Sequence, residues 1–232
     1  MHEIAEAIRS ELSHLGTAEG IEKTKHYFRE PIQTYGCNSS DAKTVATRFL
    51  PLTRKNLDLT LIVAGDLMTG GVMEENWVAS SLIAKHKSRI RPEHFEIFDQ
   101  WIDSLSNWAS IDTFTTDVVV EAVKRDPQLV DRLLQWTQSP NRWRRRASAV
   151  TLVRLARRGD MLEEAFAITD KLMEDPDDMV QKGAGWLLKE ASKNHPQEVH
   201  DYLIRWKPKT TGLILRYASE KLPQELKVYK SR

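Results

Sequence analysis

The sequence predicts an all-α protein built from stacked helical hairpins. Almost every segment of the 232 residues places its apolar side chains at helical spacing, and almost none alternates as a strand does. Proline, glycine and capping residues divide the chain into about a dozen short helices joined by turns of a few residues. An internal repeat of roughly 36 residues supports a solenoid of such hairpins.

Composition limits the classes of function. Net charge is +1, so any basic surface has to come from local segregation of charge. Cys37 is the single cysteine, which excludes an internal disulfide and a zinc-thiolate site and fits a reducing, cytoplasmic setting. No secretory signal or apolar run long enough to span a membrane is expected, and no linker divides residues 1–232, which we expect to form one domain.

Breaks and caps predict the helices of the first half. Thr17 caps a second helix, Ser39 and Ser40 cap a third, and Pro51 ends or restarts that third helix. The predicted segments are 2–15, 17–29, 39–50, 57–68, 74–86, one opened by Pro92, and 108–124 with a possible break at 113–116.

Proline-containing turns mark the helices of the second half. Asp126-Pro127, Ser139-Pro140-Asn141 and Asp175-Pro176 each open a helix. The predicted segments are 127–136, 141–158, 161–174, 175–196, 196–206 and 210–222, with the last ten residues frayed.

Two of these helices are copies of one another. Residues 139–152 align with 175–188, so that turn residues, small mid-helix residues and one basic position coincide, the last being Arg146 and Lys182. This period and pattern are typical of HEAT-like repeats, which commonly bind ligands on their concave face.

The helix within 175–196 has two unlike faces. Its core face contains Val180, Gly183, Ala184, Leu187, Leu188 and Ala191, and the two small residues allow a neighbouring helix to approach closely. Trp186 lies on the opposite side, in a stripe with Lys182, Lys189 and Lys193. That stripe is either a platform for a flat, anionic or sugar-bearing ligand or a tryptophan packed on lysine stems.

The repeat partner of that helix is strongly basic. Arg142, Arg146 and Arg157 fall within about 60° of one another on a helical wheel, with Arg145 and Arg154 beside them. Guanidinium groups bind phosphate well because they can donate two hydrogen bonds at once. A solvated face that pairs with carboxylates is the alternative, but acids are nearly absent between Asn141 and Arg158.

Trp108 and Asp112 are four residues apart and therefore adjacent on one helix face. Asp112 sits beside Ile111 and Phe114, where a carboxylate is partly desolvated. The pair could bind a group that carries or develops positive charge, or Asp112 could simply cap a helix or pair with an arginine. Tyr27 and Phe28 are core residues or contact residues.

Other chemistries are disfavoured. The sequence has no glycine-rich phosphate loop and no paired Cys/His metal set, and Cys37 has no evident base partner. We therefore expect no cofactor and no metal.

Through Trp108, Asp112, Arg146 and Trp186, the chain resembles the AlkD-type DNA alkylation repair family of HEAT-repeat DNA glycosylases. The resemblance runs nearly end to end through YFREPIQTYG, SNWASID, SPNRWRRRAS, QKGAGWLLKEASKNHP and LRYASEKLP. It implies a right-handed solenoid whose concave basic face holds duplex DNA, and hydrolysis of the N-glycosidic bond of cationic N3- and N7-alkylated purines. Met68 stands where the family often has a tryptophan.

Matching positions carry implied roles. The resemblance makes Asp112 the catalytic carboxylate and places Trp108 and Trp186 beside the deoxyribose of the lesion. Arg146 matches an arginine that contacts the backbone near the lesion, and Tyr27 matches an aromatic residue near the DNA. The other expected DNA contacts are Arg142, Arg145, Lys182, Lys189 and Lys193.

Three functions remain to be distinguished. The first is a monofunctional, monomeric glycosylase acting in base excision repair, without lyase chemistry because no lysine is placed as a nucleophile. The second is a non-catalytic HEAT-repeat protein that binds structured or damaged DNA through the same basic stripe. The third is a HEAT scaffold for another protein, which would use apolar or acidic grooves.

Overall fold

The computed structural model describes residues 2–229, and within that range it is all-helical. The chain forms two compact units, divided in sequence between Arg125 and Asp126. The first unit contains helices α1 (His2–Leu15), α2 (Ala18–Tyr27), α3 (Ser39–Thr53), α4 (Leu57–Thr69), α5 (Met73–Ala84), α6 (Phe95–Ile102), α7 (Trp108–Phe114) and α8 (Val120–Val123). The second contains α9 (Val130–Trp136), α10 (Arg142–Thr151), α11 (Val153–Ala156), α12 (Leu162–Leu172), α13 (Asp178–Ala191), α14 (Pro196–Trp206) and α15 (Gly212–Ala218).

One helix in each unit packs against several others, and most of these are not its immediate neighbours in sequence. In the first unit α5 packs against α3, α4 and α7, and in the second α13 packs against α10, α12 and α15. The predicted all-α class is therefore confirmed, while the right-handed solenoid with a concave basic face stays a prediction. The expected fraying of the last ten residues falls partly on 230–232, which lie outside the described residues.

The third helix begins at Ser39, as predicted, but its cap is a different residue and Pro51 does not end it. The cap is Asn38, not Ser39 or Ser40: its Oδ1 accepts from the N–H groups of Ser40 and Asp41 at 2.8 and 3.0 Å. Asp41 in turn accepts from the Asn38 N–H at 2.9 Å, which completes a reciprocal capping box. Pro51 lies inside the last turn of α3, close to its end at Thr53.

A π turn replaces the predicted break near residues 113–116. Residues Thr115–Val119 form this turn directly after α7 and lead into α8. The Thr115 hydroxyl donates to the Ile111 carbonyl at 2.8 Å, which satisfies an acceptor where the backbone pairing changes. The helix direction therefore continues past Asp112 with its backbone locally widened.

The repeat in the second unit is visible in its caps. Asn141 accepts from the Trp143 N–H and Asp177 from the Met179 N–H, both at 2.9 Å, so α10 and α13 begin 36 residues apart. The helix predicted from Asp175 thus starts at Asp178. The single basic helix predicted to Arg158 is interrupted at Leu152 between α10 and α11.

Two glycines let α13 pack between helices. The predicted core residues of α13 are all buried. A β-carbon added at Gly183 would lie 3.2 Å from Arg146 Cγ on α10, and one at Gly185 would lie 2.5 Å from Tyr217 Cβ on α15. Packing of α15 also accounts for the burial of Gln181, which accepts a hydrogen bond from the Thr211 hydroxyl at 2.8 Å, on a side of α13 that the sequence pattern leaves open.

Candidate nucleic-acid repair site

Helix α7 presents the tryptophan and carboxylate of the candidate site. Asn107 caps this helix by accepting from the Ser110 N–H at 2.8 Å, which fixes Trp108 as its first residue. Ile111 and Phe114 are fully buried, whereas Trp108 and Asp112 are both partly exposed. Asp112 thus lies at the edge of an apolar surface, as the sequence predicts.

Trp108 belongs to an aromatic cluster with Tyr27 and Phe28. Its ring stacks on Phe28 at a centroid distance of 5.5 Å and an angle of 27°, and the Tyr27 ring lies 6.2 Å away. Phe28 is a core residue at 8% exposure, while Tyr27 is 68% exposed. An exposed tyrosine ring beside a half-buried tryptophan provides a surface on which a sugar or base can stack.

A buried carboxylate holds the loop that follows Phe28. Glu74 is fully buried, and its oxygens accept hydrogen bonds from the Thr34 hydroxyl and from the N–H groups of Tyr35, Gly36 and Cys37. Neighbouring Glu75 accepts from the Tyr35 hydroxyl at 2.7 Å. These bonds tie the second half of the loop, Thr34 to Cys37, to α5.

In the second unit, Arg146 is nearly buried. It is 5% exposed, and its Nη1 donates to the Met179 carbonyl at 2.5 Å. Gly183 leaves room for its stem, since a β-carbon there would lie 3.2 Å from Arg146 Cγ. A guanidinium held this way keeps one orientation, which is useful for a single directed contact.

Two of the other predicted DNA-binding arginines have carboxylate partners from the next repeat. Arg142 lies 3.3 Å from Asp177, and Arg145 Nε lies 2.6 Å from Asp175. Arg145 also donates to the carbonyls of Ser139 and Pro140. Its guanidinium therefore fastens two turns together, and a phosphate contact for Arg145 stays untested.

The lysine stripe on α13 is paired in the same manner. Lys182 lies 2.8 Å from Asp178, Lys189 lies 3.2 Å from Glu220, and Lys193 pairs with Glu190. Trp186, between these lysines, is half-buried. The acids that the sequence lacks near the basic helix are supplied by the turn before α13 and by α13 itself, and Glu220 after α15 supplies one for α13. The face is a mixed one in which cations exceed acids.

The helical wheel does not describe how Arg157 is placed relative to Arg146. The interruption at Leu152 breaks the helix between them, and Arg157 is the residue that follows α11. Its side chain is 68% exposed and lies 3.8 Å from Glu190.

Metal and thiol chemistry find no support in the described residues. Among residues 2–229, no group of three or more His, Cys, Asp or Glu side chains could hold a metal ion. Burial raises the pKa of Cys37 to about 11, and its thiol donates to the Leu12 carbonyl. No helix in that same range is long and apolar enough to cross a membrane.

The fold and these residues define a class: an all-helical protein with a tryptophan–carboxylate helix in one unit and a repeated basic helix in the other. A solved structure described as a predicted DNA alkylation repair enzyme from Enterococcus faecalis has the same fold. Its TM-score is 0.78 at 17% identity, over 90% of this chain and 97% of that one. No curated protein matches the sequence.

The family itself is shown by sequence. The chain belongs to the DNA alkylation repair enzyme family, whose model matches residues 8–222. Membership assigns the protein to DNA alkylation repair and implies DNA as its substrate.

Sequence reasoning missed the residues that support the candidate site. The sequence does not distinguish a core role from a contact role for Phe28. It also gives no sign that Phe28 stacks on Trp108, because the two residues are far apart in the chain. A third copy of the repeat also went unseen. Thr211 caps α15 as Asn141 and Asp177 cap the earlier copies, and Ala218 stands seven residues after its cap, as Ala184 does after Asp177.

Proposed function

We propose that the protein is a monofunctional DNA glycosylase that hydrolyses the N-glycosidic bond of cationic N3- and N7-alkylated purines in duplex DNA. One observation carries the proposal: Asp112 and Trp108 emerge partly exposed from the same short helix, with Trp108 stacked on Phe28 and flanked by exposed Tyr27. The resemblance to the AlkD-type family implies that Asp112 is the catalytic carboxylate, that Trp108 lies beside the deoxyribose of the lesion, and that Tyr27 lies near the DNA.

The chemistry asks for little beyond these groups. An alkylated N3 or N7 purine already carries positive charge, so the base leaves without a strong general acid. The sugar left behind resembles an oxocarbenium ion, which a nearby carboxylate stabilises by charge while it orients or deprotonates water. Asp112 is the residue we assign to this role.

The tryptophans act on the same developing charge. The face of an indole ring is electron-rich, and each contact with an electron-poor sugar contributes about 0.5–2 kcal/mol. We assign Trp108 and, by resemblance, Trp186 to this contact. Arg146 and the paired cations Arg142, Lys182, Lys189 and Lys193 are proposed phosphate contacts, so affinity for DNA should fall steeply with salt.

Release of free base from methylated duplex DNA tests the assignment. We expect wild type to release 3-methyladenine or 7-methylguanine, and Asp112→Asn to lose about a hundredfold or more in rate while still binding DNA. An unchanged rate in Asp112→Asn would remove that carboxylate from catalysis. Salt-sensitive binding without base release by wild type would instead favour a non-catalytic DNA-binding protein.

A second readout tests the monofunctional character. The proposal gives no lysine a covalent role, so borohydride added during turnover should trap no enzyme–DNA adduct. A trapped adduct would contradict hydrolysis by water.

A further inference from the structure

Three turns of the first unit gather an excess of exposed cations. They lie at the ends of α3, α5 and α8, and together we call them the basic edge (54–58, 85–93 and 121–125). Its eight cations are Arg54, Lys55, Lys85, Lys87, Arg89, Arg91, Lys124 and Arg125, and its three carboxylates are Asp58, Glu93 and Glu121. All eight cations are exposed. In a chain of net charge +1, this is a strong local segregation of charge.

Side-chain bonds between consecutive turns join the edge into one surface. Arg89 Nη1 donates to the Lys55 carbonyl at 3.0 Å, which links the second turn to the first. Arg125 Nη2 donates to the Lys87 carbonyl at 2.7 Å, which links the third to the second. These two arginines therefore hold the turns side by side and leave the lysines to face solvent.

A buried histidine fixes the middle turn. His86 is 2% exposed, and its Nε2 lies 2.9 Å from the Thr60 hydroxyl of α4. Burial, with a smaller contribution from Arg89, lowers the pKa of His86 and so keeps the imidazole neutral. Lys85 and Lys87 on either side of His86 thus project from an anchored backbone.

Few acids compensate the edge. Glu121 pairs with Lys124 at 3.2 Å and with Arg125 at 3.3 Å. Across residues 2–229, no ion pair involves Lys55, Lys85 or Lys87. One or two cations are enough to stabilise the C-terminus of a helix through its dipole. That role does not account for seven consecutive residues, 85–91, that carry four cations and no acid.

The spacing of the turns suits a nucleic-acid backbone. Helices packed side by side lie about 8–10 Å apart, and α3, α5 and α7 pack in that order. Phosphates of one DNA strand follow one another at about 3.4 Å along the axis. Consecutive turns would therefore meet roughly every third phosphate of a strand lying along the edge.

We propose that the basic edge is a second contact surface for the phosphate backbone of duplex DNA, separate from the basic helices of the candidate site. The inference rests on the proposed function, since it takes duplex DNA as the ligand. It adds a sequence-independent contact from the first unit, which otherwise contributes Tyr27, Trp108 and Asp112.

A triple substitution isolates the surface. The test variant is Lys55→Gln, Lys85→Gln and Lys87→Gln together. The matched control is Lys171→Gln, Lys207→Gln and Lys209→Gln, which removes the same charge from exposed lysines of the second unit. A third variant changes Lys55, Lys85 and Lys87 to arginine and so keeps the charge. Thermal melting verifies that all three fold as wild type does.

The measurement is the dissociation constant for undamaged duplex DNA at a series of salt concentrations. Each phosphate contact contributes about 0.9 to the slope of log affinity against log salt, so the glutamine variant should lose about 2 to 3 from that slope. The control and the arginine variant should keep the wild-type slope. Equal slopes for the glutamine variant and the control would overturn the proposal.

Base release measured on the same proteins separates the two proposals. If wild type releases base normally and the glutamine variant has the same salt slope as the control, the basic-edge proposal alone would be overturned. Absence of release with a reduced slope in the glutamine variant would overturn the glycosylase and support the edge. If wild type bound no duplex DNA at low salt, both proposals would fall.

Discussion

The indole ring of Trp108 is held in place by stacking on the ring of Phe28. A tryptophan at the start of a helix of seven residues has few neighbours on its own element. The stack at 5.5 Å supplies one from the loop after α2, and Glu74 holds that loop in place. The orientation of the indole ring therefore depends on residues far from it in sequence.

We expect Phe28→Leu to lower the rate of base release about two- to tenfold, because an aromatic stack is worth about 0.5–1.5 kcal/mol beyond its apolar burial. The measurement is single-turnover release from methylated duplex DNA. Phe166→Leu is the matched control, since Phe166 stacks on Tyr202 at 4.3 Å in the second unit. Similar rates for the two variants would show that Phe28 only contributes to stability.

At the scale of single elements, α13 is the most constrained helix of the second unit. It packs against α10, α12 and α15, and its two glycines allow the closest of these approaches. Trp186 stays half-buried, while residues on both sides of it are covered. Exposure along this helix is therefore set by the neighbouring helices as much as by its own periodicity.

We expect Gly185→Ala to destabilise the protein by about 1–3 kcal/mol, because the new β-carbon would lie 2.5 Å from Tyr217 Cβ and force α15 to shift. Gly212→Ala is the control, since a β-carbon there would meet its nearest neighbour at 3.8 Å. Its effect should stay within about 0.5 kcal/mol. Denaturant unfolding measures both; equal stabilities would mean that α15 moves away without cost.

At the scale of the whole molecule, charge is arranged so that cations of one repeat meet acids of the next. Arg142 meets Asp177, Arg145 meets Asp175, and Arg157 approaches Glu190. If these arginines bind DNA as we propose, phosphate has to compete with the carboxylates, and we expect binding to undamaged DNA to be weaker for it. By contrast, most cations of the basic edge lack such partners within the described residues.

We expect Glu190→Gln to tighten binding to undamaged duplex DNA about two- to fivefold, because the change removes the largely buried carboxylate next to the exposed cations Lys193 and Arg157, and a pair of this kind near the surface is worth up to about 1 kcal/mol. Fluorescence anisotropy at fixed salt measures the effect. Glu163→Gln on α12 changes the net charge equally at an exposed position and serves as the control. Equal affinities for the two variants would exclude Glu190 as a competitor of phosphate.

The sequence by itself determined the helices and much of the site chemistry. Helical period and caps depend on residues within one turn of each other, so α1, the Thr17 cap and the buried face of α13 were all predictable. The four-residue spacing of Trp108 and Asp112 is also local, and the model confirms that both emerge from α7. Repeat length placed α10 and α13 correctly, 36 residues apart.

Only the tertiary structure decided which residues of different helices and loops contact one another. The acids facing the basic helices lie some thirty residues away in sequence, and Phe28 stacks on Trp108 across 80 residues of sequence. The interruption of the basic helix at Leu152 also does not show on a helical wheel. Hydrophobic periodicity and helix capping depend on residues close together in sequence, so a sequence pattern reveals them. Ion pairs and aromatic stacking join residues that are far apart in sequence, so their partners are known only from the tertiary structure.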